Sequence, residues 1–530
     1  MLPDSEKDIK VSKKYQENVD FLKKELGAST SFDVIVREMT VGGKKVALFG
    51  LNGLLNGQVL SQIMTALVEA ERSDLVPNTF EKIFSGRIAY NQVVEEDTMD
   101  KVLYFVLSGT IAMVVDGGEQ IIIIDVRSYP GRNPEEPDIE RVTRGSRDGF
   151  VETLVFNIAL IRRRLRDPKL RMELLQVGSR SKADICLAYI EDVANPDLVD
   201  VLRQEIKAIK IDGIPMAEKS VEEFILGDKY WNPYPRVRYT ERPDVAAIHL
   251  LEGHVLVMVD TSPSVMITPA TLFHHMQHAE EYRQNPSVGA YIRWLRFFAI
   301  FSSVFLVPLW LLVATHPEYL PAGLKFIGLA KAAKIPLGVQ ILIGEFGIDM
   351  MRMAAIHTPT PLATALGLIA AVTIGDMAAK VGLFSPEVIV YIAFAAVATF
   401  STPSYELSMA NRMARIGLIV LTWLFGVWGF GLGTLALVLS LGFTKSFNVP
   451  YLWPLVPLNW PALKRILVRS PVPIQNMRPS VLKPQDQDRK PEQDSQQPNS
   501  NADWQDQGRS SDRRPQQRYG VKRQKREDKG

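Results

Sequence analysis

Residues 294–443 decide the fold class. They run WLRFFAIFSSVFLVPLWLLVAT (294–315), IPLGVQILIGEFGIDMMRMAAIH (335–357), PLATALGLIAAVTIGDMAAKVGLF (361–384), SPEVIVYIAFAAVATF (385–400) and GLIVLTWLFGVWGFGLGTLALVLSLGF (417–443). Each block is near the roughly 20 apolar residues that cross about 30 Å of hydrocarbon. The stretch predicts a polytopic, all-α membrane domain over 291–445. In the first block no charge falls between Arg296 and His316, and aromatic rings stand at both ends, where amphipathic rings favour the headgroup region. Glu345, Asp349 and Arg352 interrupt the second block, and Asp376 and Lys380 the third. A charge facing lipid costs about 2.5–3.5 kcal/mol, so these side chains are expected to face protein or water.

Cationic residues bias orientation toward the inside. Arg283, Arg293 and Arg296 precede the first block, Arg412 and Arg415 the last, and Lys464, Arg465 and Arg469 follow it. Lys325, Lys331 and Lys334 run against that pattern if their loop lies outside. Two inside termini need an even number of crossings, whereas the blocks number five. Either the Glu345 block is re-entrant, or the last block bends back at Gly426, Gly429, Gly431 and Gly433.

With 530 residues, 46% of them hydrophobic, and a mean hydropathy of +0.01, the chain is too polar to be membrane throughout. The net charge of +2 argues against a nucleic-acid partner, and the single cysteine, Cys186, excludes an intrachain disulfide and a cysteine-based zinc cluster. The first 26 residues lack the apolar core and cleavage site of a secretory signal. The region before the first block is therefore expected to be cytoplasmic.

That region reads as α/β in two subdomains, 1–135 and 136–290. Val19, Leu22 and Leu26 have helical spacing, and FDVIVREMTVGGKKVALFGLNGLL alternates around Gly42-Gly43 as a hairpin does. A helix follows over 60–71. VLYFVLSGTIAMVVD and EQIIIIDVRS read as a second hairpin about Gly117-Gly118. The proline-rich Ser128–Asp138 segment marks the boundary. Beyond it come a helix ending in Arg162, Arg163 and Arg164, strands at KLRMELLQVG and ADICLAYIED, helices over 196–209 and 218–226, and HVLVMVDTSPSVMITP, which together predict a mixed sheet. Past the membrane blocks, 446–470 reads as interfacial, with Trp453 and Trp460. The polar segment 471–530 is expected to be disordered, having too little apolar area to offset its ordering entropy.

SYPGRNPEEPD with RGSRDGFVETLVFNIALIRRRLRD, VDTSPSVMITP, MAAIHTPTPLATALGLIAAVTIGD and FSTPSYELSMANRMAR resemble the A subunits of GerA-type spore germination receptors, in matching order over roughly residues 15–470. The resemblance implies an inner spore membrane protein with a cytoplasmic region of two α/β subdomains, acting in germination. It implies partners: further copies of the chain around an ion-conducting pore, a permease-like subunit, a lipoprotein subunit, membrane proteins of stage V sporulation, and the inner spore membrane lipids. The polar tail departs from the family pattern.

Glu345 and Asp349 share a helical face, with Arg352 three residues on. They read either as a cation-attracting gate or as an Asp349–Arg352 pair that lets a polar helix pack. Asp376 and Lys380 have the favourable acid-before-base order and read as a structural pair. Glu387 follows Pro386, where a helix N-terminus stabilises a carboxylate. Pro359 and Pro361, and Pro403 with Glu406 beyond it, mark breaks that either line a cavity or turn tightly between helices. Among His274, His275 and His278, residues 274 and 278 would share a helical face as metal ligands do, but no acidic residue or cysteine completes a site at recognised spacing, and with Glu280 and Glu281 the stretch reads rather as a solvated amphipathic helix leading to the membrane; Arg162–Arg164 read as a solvated run or a patch for an anionic partner. No phosphate-cradling loop, GxSxG or HExxH pattern points to an enzyme, and no cofactor is implied. The leading expectation is an ion-channel-forming or channel-gating subunit. The alternatives are a non-conducting assembly subunit and a substrate-coupled transporter, the latter requiring inverted repeats.

Overall fold

The computed structural model describes residues 9–88, 92–129, 140, 142, 144–227, 231–319, 321–330, 334–357, 383–469, 471 and 476–489. The first α/β half begins with α1 (Tyr15–Glu25), which buries Val19 and Leu22 against the sheet. Strands β1 (Val34–Val41) and β2 (Lys44–Leu51) pair through Gly42 and Gly43, at φ 54° and 83°, the left-handed values that a two-residue hairpin turn requires. There follow α2 (Gly57–Val68), capped by Asn56, the short helices α3 (Arg72–Leu75) and α4 (Thr79–Lys82), β3 (Val93–Glu96), α5 (Met99–Leu107), β4 (Ile111–Val115) and β5 (Ile121–Ile124). The sheet order is β1-β2-β4-β5-β3.

The second half repeats that plan. Helix α6 (Leu154–Arg164) precedes β6 (Leu170–Val177) and β7 (Ala183–Ile190). Then come α7 (Pro196–Ala208), α8 (Ala217–Leu226), β8 (Arg238–Thr240), α9 (Pro243–Glu252), β9 (Val255–Val259) and β10 (Val265–Thr268), in the order β6-β7-β9-β10-β8. All ladders in both sheets are antiparallel, which corrects the expected mixed sheet. Each sheet separates two cores. Along β4, Ala112 and Val114 enter one while Ile111, Met113 and Val115 enter the other, as the two-residue period of a strand dictates.

Residues 102–107, expected as a strand, are helical. Met99, Val102, Leu103 and Val106 recur at helical spacing and are buried on one side. The boundary segment lies largely outside the described residues. The halves are joined by a bidentate ion pair between Asp33 and Arg162, at 2.8 and 3.1 Å, with both side chains only 2% exposed. Arg164 binds Asp148, and Arg163 lies over the Tyr129 ring. The arginine run is thus divided among three partners rather than forming one solvated face.

The helical region comprises α10 (Leu272–Met276), α11 (Ala279–Arg283), α12 (Pro286–Thr315), α13 (Leu337–His357), α14 (Pro386–Phe400), α15 (Tyr405–Phe443) and, after the ribbon β11 (Lys445–Ser446) and β12 (Val449–Pro450), α16 (Trp460–Leu467). Among the described residues, α12 and α15 are the two helices long and apolar enough to cross a membrane. Helix α14 is shorter, α13 carries three charges, and the block at 361–384 falls almost entirely outside the described residues. In α15, Gly426 leaves helical geometry at φ 56°, ψ −132°. The chain then returns along itself: Gly433 faces Leu418 and Leu421, and Leu437 and Leu441 pack into the core that holds Leu407 and Ala410. The last block therefore bends back on itself near Gly426.

The helices dock on the second half. Ser446 donates to the Arg236 carbonyl at 2.5 Å and accepts from the Ala270 amide at 3.1 Å. Glu281 is fully buried and paired with Arg293 and Arg296, not solvated, because the first turns of α12 bring both guanidiniums onto it. Disorder was expected from 471 onward, yet part of that segment straps the second half. Arg478 donates to the Leu251 carbonyl at 2.8 Å, and the Gln485 side chain donates to the carbonyls of Glu191 and Ala194.

Candidate functional site: a buried ion-pair cluster among apolar helices

Helix α13 presents Glu345 and Asp349 one turn apart, and α15 presents Arg412 and Arg415 opposite them. Arg415 meets the Glu345 carboxylate at 2.8 Å, and Arg412 lies 3.5 Å from the same oxygen and 2.9 Å from Asp349. Arg412 also donates to the Glu345 carbonyl at 2.7 Å. Arg415 reaches two further helices, donating to the Ser303 carbonyl of α12 at 2.5 Å and to the Thr399 hydroxyl of α14 at 3.0 Å. Glu345, Arg412 and Arg415 are at most 2% exposed, whereas Asp349 is 31% exposed. One residue thereby ties together four helices.

Two carboxylates and two guanidiniums cancel, so the cluster carries no net anionic charge. Buried ions persist only where partners and hydrogen bonds offset desolvation, and removing one member of such a pair costs about 3–5 kcal/mol. Satisfaction is incomplete: Glu345 Oε1, Arg412 Nε and Arg415 Nε have no hydrogen-bond partner among the described residues.

Of the charges singled out in the sequence, Glu345 and Asp349 meet here, but Asp349 pairs with Arg412 rather than Arg352. Arg352 turns instead toward the Phe400 ring and the Met409 sulfur. Asp376, Lys380, Pro359 and Pro361 lie outside the described residues. Glu387, in the first turn of α14, accepts from the Ala330 amide at 3.0 Å. Pro403 occupies the turn between α14 and α15, where Ser404 caps α15 by accepting from the Leu407 amide and donates to Glu406 at 2.8 Å. Pro403 and Glu406 line a cavity of about 320 Å³, bounded on its other side by Arg238 and Tyr239 of the α/β region and by His275 of α10. Burial and the nearby Glu222 carboxylate push the Tyr239 phenol well up.

In the sequence, Arg412 and Arg415 stand out only as topology markers. Their signal was position: spaced i, i+3 in SMANRMARIGLIV, they run into an apolar helix without a break, and so have to find carboxylates. His274 and His275 are not on a solvated helix. His275 is 2% exposed, and burial with Arg238 nearby pushes its ring down to about 3.

The chain matches the family described as "Bacillus/Clostridium GerA spore germination protein" over residues 20–481. It is 51% identical over 491 residues to "Stage V sporulation protein AF" of Bacillus subtilis (strain 168), covering 92% of this chain and 99% of that one. It is 33% identical over 404 residues to "Uncharacterized membrane protein YfkQ" of the same organism, covering 76% and 78%. The N-terminal domain of the A subunit of the Bacillus megaterium spore germinant receptor GerK3 aligns with 26% identity and a TM-score of 0.40, over 50% of this chain and 98% of that structure.

Proposed function

Since the chain belongs to the GerA family of spore germination proteins, we propose that it is a multi-pass subunit of the inner spore membrane that gates ion movement during germination. Its α/β halves lie on the cytoplasmic side and pass a signal to the helices. The observation that carries this reading is Arg415, which holds Glu345, the Ser303 carbonyl and the Thr399 hydroxyl at once. Such a contact has two discrete arrangements, closed on itself or opened to water, and an input that favours one shifts the helices together. The cavity between Arg238 and Glu406 lies where the α/β region meets the α14–α15 turn, a position suited to delivering that input. Partners follow from the same reading: further copies of this chain, and permease-like and lipoprotein subunits.

A second reading is favoured by the neutrality of the cluster. Carboxylates already occupied by arginines do not attract cations, which fits an assembly subunit that conducts nothing. Potassium and sodium release from spores carrying Glu345→Gln, Arg415→Gln or the exchange Glu345→Arg with Arg415→Glu separates the two. Gating predicts early ion release changed severalfold at equal protein abundance. Normal release at normal abundance in both single variants, with slow release on deleting the gene, selects assembly.

A further inference from the structure

A second cluster of chemistry lies away from the ion pairs, in the segment HLLEGH at the end of α9. His249 and Glu252 are three residues apart and share a helical face, and Gly253, at φ 99°, turns the chain so that His254 comes back beside them. Their nitrogen and carboxylate ligand atoms all lie within 4.8 Å of one another. We infer that His249, Glu252 and His254 form a binding site for a divalent transition metal of the zinc type.

The second observation is the state of His254. It is fully buried, with the backbone of Thr268 and Pro269 against its ring. Donation from one ring nitrogen to that backbone leaves the lone pair of the other for a metal. His249 is oriented as ligating histidines commonly are: its Nδ1 lies 2.8 Å from the Val245 carbonyl, and donation there leaves the Nε2 lone pair for a metal. A third imidazole completes the surround. His274 stands edge-on to His254 and His249, with ring centroids 5.0 and 6.0 Å away. Its Nδ1 accepts from the Thr271 amide at 3.0 Å, so Nε2 carries the proton, and this ring serves as a donor beside the site rather than a ligand.

Two imidazoles and one carboxylate suit zinc and its neighbours rather than calcium or magnesium, which prefer oxygen ligands, and leave a fourth position for water. Tetrahedral ligation needs ligand atoms about 3.3 Å apart at metal distances near 2.0–2.1 Å. Of the three, Glu252 is the half-buried one and lies nearest the surface. The C-terminal strap lies against the same turn, with Pro484 at 3.5 Å from the position a Gly253 Cβ would take.

The test uses the full chain purified in detergent, stripped with a chelator and titrated with Zn²⁺ and Co²⁺ alone. The expected result is one bound equivalent by elemental analysis, a visible Co²⁺ spectrum of low coordination number, and metal affinity reduced about tenfold or more in His249→Gln and His254→Gln but retained in His275→Gln. Should the histidine variants fail to fold, wild-type stoichiometry and the Co²⁺ spectrum decide alone. Folded wild type that binds no equivalent, or folded His249→Gln and His254→Gln proteins that bind as tightly as wild type, overturns the site.

Discussion

The two α/β halves share one strand order but not one chemistry. From β3 to β5 and from β8 to β10 they run in step without insertion: Gly109 answers to Gly253 and Asp116 to Asp260. The helix ends match bond for bond. The Gly109 amide donates to the Val106 carbonyl and Thr110 to Phe105, as Gly253 does to Leu250 and His254 to His249. At the three donor positions of the second half, however, the first half carries Phe105, Ser108 and Thr110 in place of His249, Glu252 and His254. The backbone of this turn is set by a glycine at positive φ and its flanking amides, which leaves the side chains around it open to other uses. A repeated frame can therefore hold a metal-type donor set in one copy and an apolar and hydroxyl set in the other.

The largest effect expected is at the joint between the copies. Asp33→Ala or Arg162→Ala leaves one fully buried charge unpaired and should cost about 3–5 kcal/mol in denaturant unfolding of the full chain. Replacing both with Leu and Met should recover most of it. If the single variants unfold like wild type, the halves are not held by this pair.

The next contrast is acid sensitivity. All seven histidines lie at or beyond His249, so the first half has none. Burial pushes His275 down to about 3, with Arg238 nearby, and His278 to about 4, where Arg296, Arg238 and Arg242 oppose its charge more than Glu280 supports it. Both folded values lie below the unfolded 6.5. The unfolded state therefore takes up protons first, and stability present above pH 6.5 is lost as the pH falls toward 4, by about 1.4 kcal/mol per pH unit for each histidine. Hydrogen exchange corrected for intrinsic rate should show β9 and β10 losing protection between pH 7.5 and 5 while β4 and β5 keep theirs. Equal loss in both sheets would sink this contrast.

Much of the frame was legible because it rests on local physics. The Gly42-Gly43 hairpin, α1, α6 and the paired helices after β7 were marked by turn residues and apolar spacing. Helix α5 was not, since VLYFVL is rich in strand-forming residues, and only the spacing of Met99, Val102, Leu103 and Val106 reveals the helix. Strand β3 was missed because Glu95 and Glu96 mark it as a charged edge, and β8 because it spans three residues. At the ion-pair cluster the carboxylates were legible and their partners were not. Pairing Glu345 with Arg415 depends on how α13 and α15 pack, a long-range fact that no window of sequence contains. The His249–His254 turn escaped for the opposite reason: its spacing is local, but its burial is not.

A smaller contrast compares the two matching glycines. Both have φ above 90°, a conformation that costs an alanine about 1–2 kcal/mol. A Cβ at Gly109 would also sit 3.0 Å from the Leu54 side chain, whereas at Gly253 the nearest atom is 3.5 Å away. Gly109→Ala should therefore lower the thermal midpoint more than Gly253→Ala does. The reverse order would mean that the metal-type turn, not packing, makes the second glycine the more demanding.

The smallest effect separates neighbours within one run of charge. Arg163 is exposed and lies over the Tyr129 ring at 5.1 Å, while Tyr129 donates to the Ser108 carbonyl of the first half at 2.8 Å. An exposed cation over an aromatic ring contributes about 0.5–1 kcal/mol. Arg163→Gln should cost no more than that, and Arg163→Lys less, whereas Arg162→Gln next to it should cost several times as much. Equal costs at 162 and 163 would mean that the run acts through its summed charge. Unequal costs in the expected order would mean that each arginine acts through its own partner, and that the joint between the halves rests on burial rather than on the number of cations.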